Sequence, residues 1–136
     1  AVATVDAAGK VTVKGPGVAK ITVKAAATTD YKAASKTVTV TVAPKKQSIS
    51  LVNKIKKQLT IKWKKNTKAS GYQVVYSTNK KFTGKKTVRK AKTTTSYKIK
   101  GLKKGKKYYV KVRSYKTVNG KRIYGAYSTA QKATIK

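Results

Sequence analysis

Basic and aromatic side chains are closely interleaved in GLKKGKKYYVKVRSY, residues 101–115. Six of these fifteen residues are Lys or Arg, and three are Tyr. Proteins that bind nucleic acids use cations for the phosphates and aromatic rings for the bases. The same pattern also fits one strand of an ordinary β-sandwich whose solvent-facing side is rich in lysine. Both interpretations are open from this segment alone.

The charge of the whole chain favours anionic partners. Its 136 residues hold 35 Lys and Arg against two acidic residues, which gives a formal net charge of +33. Such a charge attracts polyanions at low salt and opposes compaction by self-repulsion. Only Arg89, Arg113 and Arg122 are arginines, and these are poor material for sequence-specific base recognition. Lysine binds phosphate or sulfate as a point charge, with little discrimination.

The chain lacks most of the residue types that carry catalysis. It has no His, Cys or Glu, and Asp6 and Asp30 are its only acidic side chains. This composition excludes the usual zinc sites, thiol nucleophiles, disulfides and paired carboxylates. A Ser–Lys pair is available by number alone, but no motif distinguishes one Ser or Lys from the others. We therefore predict a non-enzymatic protein without a metal or cofactor, in which the two aspartates are turn residues.

Apolar and polar residues alternate over short stretches that are rich in Val, Ile, Thr and Tyr. This pattern is typical of half-buried β-strands, and the turn signals between them indicate antiparallel sandwiches. No apolar run approaches the roughly 20 residues of a membrane-spanning helix, so we expect no membrane insertion. The sequence predicts an all-β protein. The predicted strands include VTVK (11–14), KITVK (20–24), KTVTVTV (36–42), QLTIKW (58–63), YQVVY (72–76), YKIKGL (97–102) and YYVKVRSY (108–115).

A boundary between two modules is predicted near Pro44, because proline cannot donate a hydrogen bond to a sheet ladder. The charge changes at the same place. Residues 1–44 hold six Lys and two Asp, a net +4, whereas residues 45–136 hold the other 29 basic residues and no acid. The predicted division is a first module over 1–43, a linker over 44–47 and a second module over 48–136.

The second module carries a tryptophan and a tyrosine motif at characteristic places. Trp63 lies on the apolar face of a predicted strand, and Leu102-x-x-Gly105-x-x-Tyr108 begins the basic segment described above. These features resemble the buried tryptophan and the tyrosine corner of a fibronectin type III domain, over residues 47–136. The resemblance implies a sandwich of two sheets in which these four residues are structural, with the phenol bonded to upstream backbone.

Strand alternation then separates inward from outward side chains. If Tyr108 points inward, Val110 and Val112 do so too. The side chains that then point to solvent are those of Tyr109, Lys111, Arg113 and Tyr115. The adjacent strand adds Gln73, Val75 and Ser77 to the same outer face, and the outer faces of both sheets become cationic. A solvated lysine surface is the alternative to a polyanion-binding one. The candidate polyanion-binding residues are Lys103, Lys104, Lys106, Lys107, Lys111, Arg113, Lys62, Lys64, Lys98 and Lys100. Tyr109 and Tyr115 are candidates for stacking on bases or sugars, with cross-strand packing as the alternative.

Short strands and glycine-centred turns characterise the first module. Val5-Asp6-x-x-Gly9 and Gly15-Pro16-Gly17 precede the predicted strand around Ile21, and a Thr/Val strand closes the module. This pattern resembles the second half of a bacterial immunoglobulin-like domain of group 2. Because the match covers only half of that unit, we expect one of three arrangements: the half-domain packs on the neighbouring module, strands from another chain complete it, or the piece was excised from a longer protein.

Taken together, the sequence predicts tandem immunoglobulin-like β-sandwiches, the first one partial, as in Gram-positive cell-surface proteins. We predict a non-catalytic fragment of a secreted or cell-surface bacterial protein that serves in adhesion as a spacer and a non-specific binder of polyanions. The expected partners are teichoic acid of the cell wall, sulfated or sialylated glycans, and DNA bound without sequence preference. The alternative is a structural subunit of a surface fibre or phage particle, completed by strands from a neighbouring chain.

Overall fold

A computed structural model describes all 136 residues of the chain, and its regular secondary structure consists of β-strands. The all-β prediction is confirmed. The structure contains no helix that is long and apolar enough to cross a membrane. The strands are β1 (Ala3–Val5), β2 (Val11–Val13), β3 (Gly17–Ala25), β4 (Ala34–Val42), β5 (Ile49–Val52), β6 (Leu59–Trp63), β7 (Gly71–Ser77), β8 (Lys86–Ala91), β9 (Ser96–Ile99), β10 (Lys107–Val118), β11 (Lys121–Tyr124) and β12 (Gln131–Thr134).

The second module is a sandwich of two antiparallel sheets. The larger sheet has the strand order β11–β10–β7–β8, and β12 also pairs with β10. The smaller sheet has the order β5–β6–β9. The long strand β10 pairs with β7 along one edge and with β11 and β12 along the other. The basic and aromatic segment of β10 therefore lies in the middle of the larger sheet.

The core of the sandwich lies between the two sheets. Ile61 of the smaller sheet and Val110 and Val112 of the larger one are fully buried. The ring centroid of Trp63 is 5.4 Å from that of Tyr72, so these two rings join the sheets across the core. Side chains at alternate positions of each strand supply this apolar layer, as the pleat of a strand requires.

In the sequence, Asn119-Gly120 is a strong signal for a two-residue β-hairpin, and the turn between β10 and β11 forms at these residues. Val118 pairs with Lys121, which leaves a loop of two residues. Asn119 and Gly120 have φ angles of +48° and +74°. Positive φ at both central residues is the requirement of a type I′ turn, and Asn-Gly meets it with little strain.

Two strand assignments differ from the sequence prediction. β8 was not predicted, because its lysine-rich sequence has weak apolar alternation, and its pairing with β7 defines it. The family-like segment Tyr124-Gly125-Ala126-Tyr127-Ser128 predicts a last strand that begins near Arg122, but the structure interrupts this strand after β11, and pairing resumes in β12. In the interval, Gly125 N–H donates to Ser114 C=O at 2.9 Å, and Ser128 N–H donates to Val112 C=O at 2.7 Å. Single hydrogen bonds replace a continuous ladder there.

The predicted linker contains no strand and is held against β10. Pro44 and Gln47 are buried, although Lys45 between them is exposed. The Lys45 C=O accepts hydrogen bonds from Ser114 Oγ and from Gln47 Nε2, each at 3.2 Å. The predicted module boundaries at 43/44 and 47/48 stay a prediction.

The first module consists of two hairpins, β1–β2 and β3–β4, which do not pair with each other. Ala19, Ile21 and Val23 share one face of β3, and Val18, Lys20, Thr22 and Lys24 occupy the other. Val23 is 64% exposed and Val13 of β2 is 56% exposed. The apolar faces of both hairpins are therefore largely uncovered.

Asp6 has the turn role expected of it. Its Oδ1 accepts hydrogen bonds from the N–H groups of Ala8 and Lys10, at 3.1 and 2.9 Å. Gly9 between them has a φ of +81°, a conformation that favours glycine. Asp30 also lies in a bend.

Burial raises the pKa of the Tyr76 phenol above its ordinary value, and the nearby phenols of Tyr97 and Tyr108 raise it further. The folded chain therefore keeps this proton at a pH where the unfolded chain releases it. The resulting stabilisation is complete below about pH 10 and is lost as the pH rises through the folded pKa. As the pH rises from about 10 to 11, we expect the free energy of unfolding to fall less in Tyr76→Phe than in the unchanged protein, as measured by urea denaturation. Tyr31→Phe, at a residue that is 77% exposed, is the control, and equal pH slopes in all three proteins would contradict this prediction.

Candidate anion-binding surfaces

The turn before β10 presents four of the predicted lysines to solvent. Tyr108 is half-buried, and its phenol oxygen accepts a long hydrogen bond of 3.5 Å from the Lys103 N–H. Gly105 has a φ of +73°, and its N–H donates to the Ile135 C=O at 2.8 Å. Leu102 is buried beneath the turn. The exposed lysines of this fixed turn are Lys103, Lys104, Lys106 and Lys107.

Four more predicted cations belong to the outer face of the smaller sheet. Lys62 of β6 and Lys98 of β9 are diagonal neighbours, because the register offsets them by two residues. Lys64 and Lys100 follow the ends of these two antiparallel strands, so they lie at opposite ends of the sheet. All four side chains are exposed. They spread positive charge along the sheet without forming one pocket.

A groove of about 380 Å³ beside the linker collects further lysines. Its lining contains no apolar residue. Asn66 shapes the turn at its floor, since its Oδ1 accepts from the Lys68 N–H at 3.1 Å and its own N–H donates to the Tyr72 phenol oxygen at 2.6 Å. The lysines that line this lysine groove are Lys45, Lys46, Lys64, Lys65 and Lys68. Only Lys64 was predicted, because the linker and the turn after β6 are far apart in sequence and meet only in the fold.

Lys111 and Arg113 lie on the outer face of the larger sheet, but this part of the face is not the open cationic surface that the sequence predicts. The Lys111 Nζ is 4.1 Å from the ring centroid of Phe82 and 4.4 Å from that of Tyr127. The Arg113 Cζ is 3.8 Å from the ring centroid of Tyr124 and also 4.4 Å from that of Tyr127. Both cations are half-buried against aromatic rings, where cation–π attraction holds them.

The outer face of the larger sheet is itself partly buried. Val75 is fully buried, and Gln73 and Ser77 are almost so. The Ser77 hydroxyl donates to the Thr83 C=O at 2.8 Å, which ties the connection between β7 and β8 to the sheet. Phe82 in that connection is also buried. Strand alternation assigned these side chains to the outer face, but it could not show that a loop covers them.

The two candidate stacking residues occupy cross-strand positions. The Tyr115 ring lies 5.7 Å from that of Tyr124 at an interplanar angle of 59°, and the Arg122 Cζ is 5.5 Å from the Tyr115 centroid. Tyr109 is opposite Lys132 of β12. Both candidates are half-buried. These positions fit the cross-strand packing alternative, and stacking on a base or sugar stays a prediction.

Sequence reasoning missed four members of this outer face, namely Phe82, Arg122, Tyr124 and Tyr127. The available signal was the segment Tyr124-Gly125-Ala126-Tyr127-Ser128, whose tyrosines bracket the cations of β10 once the chain folds back. No carboxylate opposes these cations, since residues 45–136 contain no acid.

The arrangement of two sheets around Trp63, with a tyrosine corner at their edge, is that of a known sandwich family. A model of the fibronectin type III domain matches residues 42–130, more than half of the chain. The chain belongs to the fibronectin type III family. The predicted family resemblance of the second module is confirmed. Fibronectin type III domains are non-enzymatic, spacer-like modules, and the match does not extend into the first 41 residues.

Several solved fibronectin type III domains share the fold. The sixth such domain of human fibronectin type III domain containing protein 3 has a TM-score of 0.57 at 15% identity, covering 71% of this chain and 88% of that one. The domain of human contactin 1 has a TM-score of 0.56 at 15% identity, covering 65% and 73%. The domain of human collagen alpha-1(XX) has a TM-score of 0.53 at 15% identity, covering 65% and 82%. At such low identity the similarity establishes the fold alone. No match was found among curated proteins.

Proposed function

We propose that this chain is a spacer module of a secreted or cell-surface bacterial protein, and that its lysine surface binds polyanions. The binding is non-catalytic and electrostatic, and it contributes to adhesion. Contacts with anionic groups release condensed counterions, which supplies affinity without sequence or stereochemical discrimination.

The lysine groove is the observation that carries this proposal. Its five lysines line one shallow groove without any apolar residue, and residues 45–136, which include all five, contain no acid to neutralise them. A concave surface of one charge sign concentrates the electrostatic potential and attracts a polyanion more strongly than the same charges spread over a convex surface. The exposed turn lysines and the outer face of the smaller sheet extend the positive surface.

The cellular setting is proposed from the first module. Residues 1–43 resemble half of a bacterial immunoglobulin-like domain, a building block of Gram-positive surface proteins. In that setting the anionic partners are teichoic acid in the wall and sulfated or sialylated glycans and DNA outside it. Lysines bind the phosphate, sulfate or carboxylate of each by charge.

Retention on immobilised heparin should fall steeply with salt. If about four anionic groups are contacted at once, the affinity is expected to fall by about 100-fold between roughly 50 and 200 mM NaCl. Affinity measured across that range by biosensor, on heparin and on teichoic-acid surfaces, tests the prediction. Affinity that does not change with salt would contradict polyanion binding and leave only the spacer role.

Two variants of equal charge distinguish the groove from general attraction. One changes the five lysines of the lysine groove to Gln, and the other changes Lys10, Lys20, Lys24, Lys32 and Lys36 of the first module, all exposed. We expect the first variant to lose about tenfold more affinity than the second, because the groove acts as a unit. Equal losses would show that net charge alone binds the polymer.

The exposed hairpins favour a second candidate, a subunit of a surface fibre or phage particle. A two-stranded hairpin is marginally stable alone, and strands from a neighbouring chain would cover the apolar faces on which Val13 and Val23 lie. Light scattering coupled to size exclusion, with electron microscopy of the same material, tests this candidate. A strictly monomeric, cooperatively unfolding chain would exclude it.

A further inference from the structure

All three arginines of the chain lie on one face of one sheet, although only three of its 35 basic residues are arginine. Arg89 of β8 is opposite Gln73 of β7, and Gln73 is opposite Arg113 of β10. These two arginines and the glutamine between them form a cross-strand row. Arg122 of β11 is opposite Thr117, which alternation places on the same face of β10 as Arg113. The outer face of the larger sheet thus carries every arginine of the chain, with Lys111 two residues from Arg113 on β10.

Arg113 is held in one orientation before any ligand arrives. The rings of Tyr124 and Tyr127 flank its guanidinium, and its Nε–H donates to the Gln73 Oε1 at 2.7 Å. The same oxygen accepts the Tyr127 hydroxyl at 3.0 Å, which fixes the Gln73 amide in turn. An arginine ordered in this way loses little further side-chain entropy on binding, unlike a flexible surface lysine.

The Nη edge of the Arg113 guanidinium has no hydrogen-bond partner within the protein. The Nη–H groups of Arg113 donate to no protein acceptor, and neither do the guanidinium groups of Arg89 and Arg122. The module contains no carboxylate that could accept them. A planar fork of this kind matches the two oxygens of a carboxylate in a bidentate pair.

We propose that this arginine face, made of Arg89, Arg113 and Arg122 with Tyr115, Tyr124 and Tyr127, binds the carboxylates of an acidic polypeptide. Tyrosine and arginine are enriched at the centres of protein interfaces, and this face combines three of each, with Lys111 packed against Tyr127 beside them. Under the proposed function, the lysine surface binds polymers of phosphate or sulfate groups. The inference does not depend on the proposed polymer binding, because a fork geometry and not net charge carries it.

Charge-conserving substitutions test the proposal, with fluorescent octaglutamate as the probe. Arg113→Lys and the double variant Arg89→Lys/Arg122→Lys keep every charge but remove the forks. We expect each to weaken octaglutamate binding by about fivefold or more, as measured by fluorescence anisotropy, because bidentate charge-assisted hydrogen bonds are lost. The control Lys20→Arg/Lys24→Arg adds two forks at exposed positions of β3, outside both proposed binding surfaces, and should change octaglutamate binding less than about twofold.

The possible outcomes either support or overturn the arginine face. Octaglutamate affinity that is unchanged in both arginine variants overturns the proposal, and so does an octaphosphate chain that competes equally well at equal charge. If Arg113→Lys fails to fold, octaglutamate binding by the exposed pair Arg89→Lys/Arg122→Lys tests the proposal instead. Heparin retention should be the same in all these variants. Heparin retention that does not change with salt would contradict the polymer proposal, and the octaglutamate measurements would still test the arginine face independently.

Discussion

Replacing Trp63 by Ala is expected to destabilise the fibronectin type III module by about 3–5 kcal/mol. The indole is 6% exposed and packs on Tyr72, with a centroid distance of 5.4 Å, where the two sheets meet. Its removal leaves a cavity that neighbouring β-strands, each fixed by its ladder, fill only in part. Urea denaturation followed by tyrosine fluorescence or circular dichroism measures the loss.

The neighbouring residue supplies the control for this substitution. Lys62 is exposed on the other face of the same strand, and Lys62→Ala should change stability by no more than about 0.5 kcal/mol. The Trp63 Nε1–H is buried without a hydrogen-bond partner, so Trp63→Phe should cost much less than Trp63→Ala. A cost below about 1 kcal/mol for the alanine variant would show that this ring is not central to the core.

Replacing Gly71 by Ala is expected to cost about 2–3 kcal/mol, the second large effect on stability. A Cβ atom here would lie 2.6 Å from the Lys90 C=O of β8 and 2.7 Å from the Tyr115 Cζ. The carbonyl belongs to the backbone of a paired strand, and Tyr115 is packed against Tyr124, so neither can move freely. Thermal unfolding should therefore occur at a clearly lower temperature than in the unchanged protein.

Thr87 on the partner strand β8 offers a matched surface control. It is exposed, and Thr87→Ala should leave the unfolding temperature almost unchanged. Combining Gly71→Ala with Tyr115→Ala separates the two clashes, because only the clash with the Lys90 carbonyl remains in the double variant. An unchanged unfolding temperature in Gly71→Ala would mean that β7 and β8 separate at no cost.

The two proposed anion surfaces differ in what they can discriminate. The lysine groove presents point charges, which attract phosphate, sulfate and carboxylate polymers alike. On the arginine face, Arg113 is fixed by two rings and one amide, so its direction is set before binding. We propose that one module binds a polyanion in its lysine groove and an acidic polypeptide on its arginine face.

Alternation and turn chemistry made much of the fold predictable. The core positions of Trp63, Val110 and Val112 could be predicted because the pleat sends every second side chain to the same side. The hairpin at Asn119-Gly120 was predictable because only a few residue types accept the positive φ angles it requires. These are local properties, fixed by neighbours in the chain.

The candidate site was predictable only in part. The turn lysines and those of the smaller sheet are exposed as alternation implies, but Lys111 and Arg113 are half-buried. Alternation states which face a side chain is on, and it carries no information about what covers that face. Phe82 and Tyr127 reach these cations from loops that lie far from β10 in the sequence.

The sequence by itself determined an all-β fold, a fibronectin type III module and a surface dominated by lysine, because periodicity, turn residues and charge are written locally. Only the tertiary structure brought five lysines from the linker and the turn after β6 into one groove. It alone placed Arg89, Arg113 and Arg122 on one face, since strand order and register decide which distant residues become neighbours.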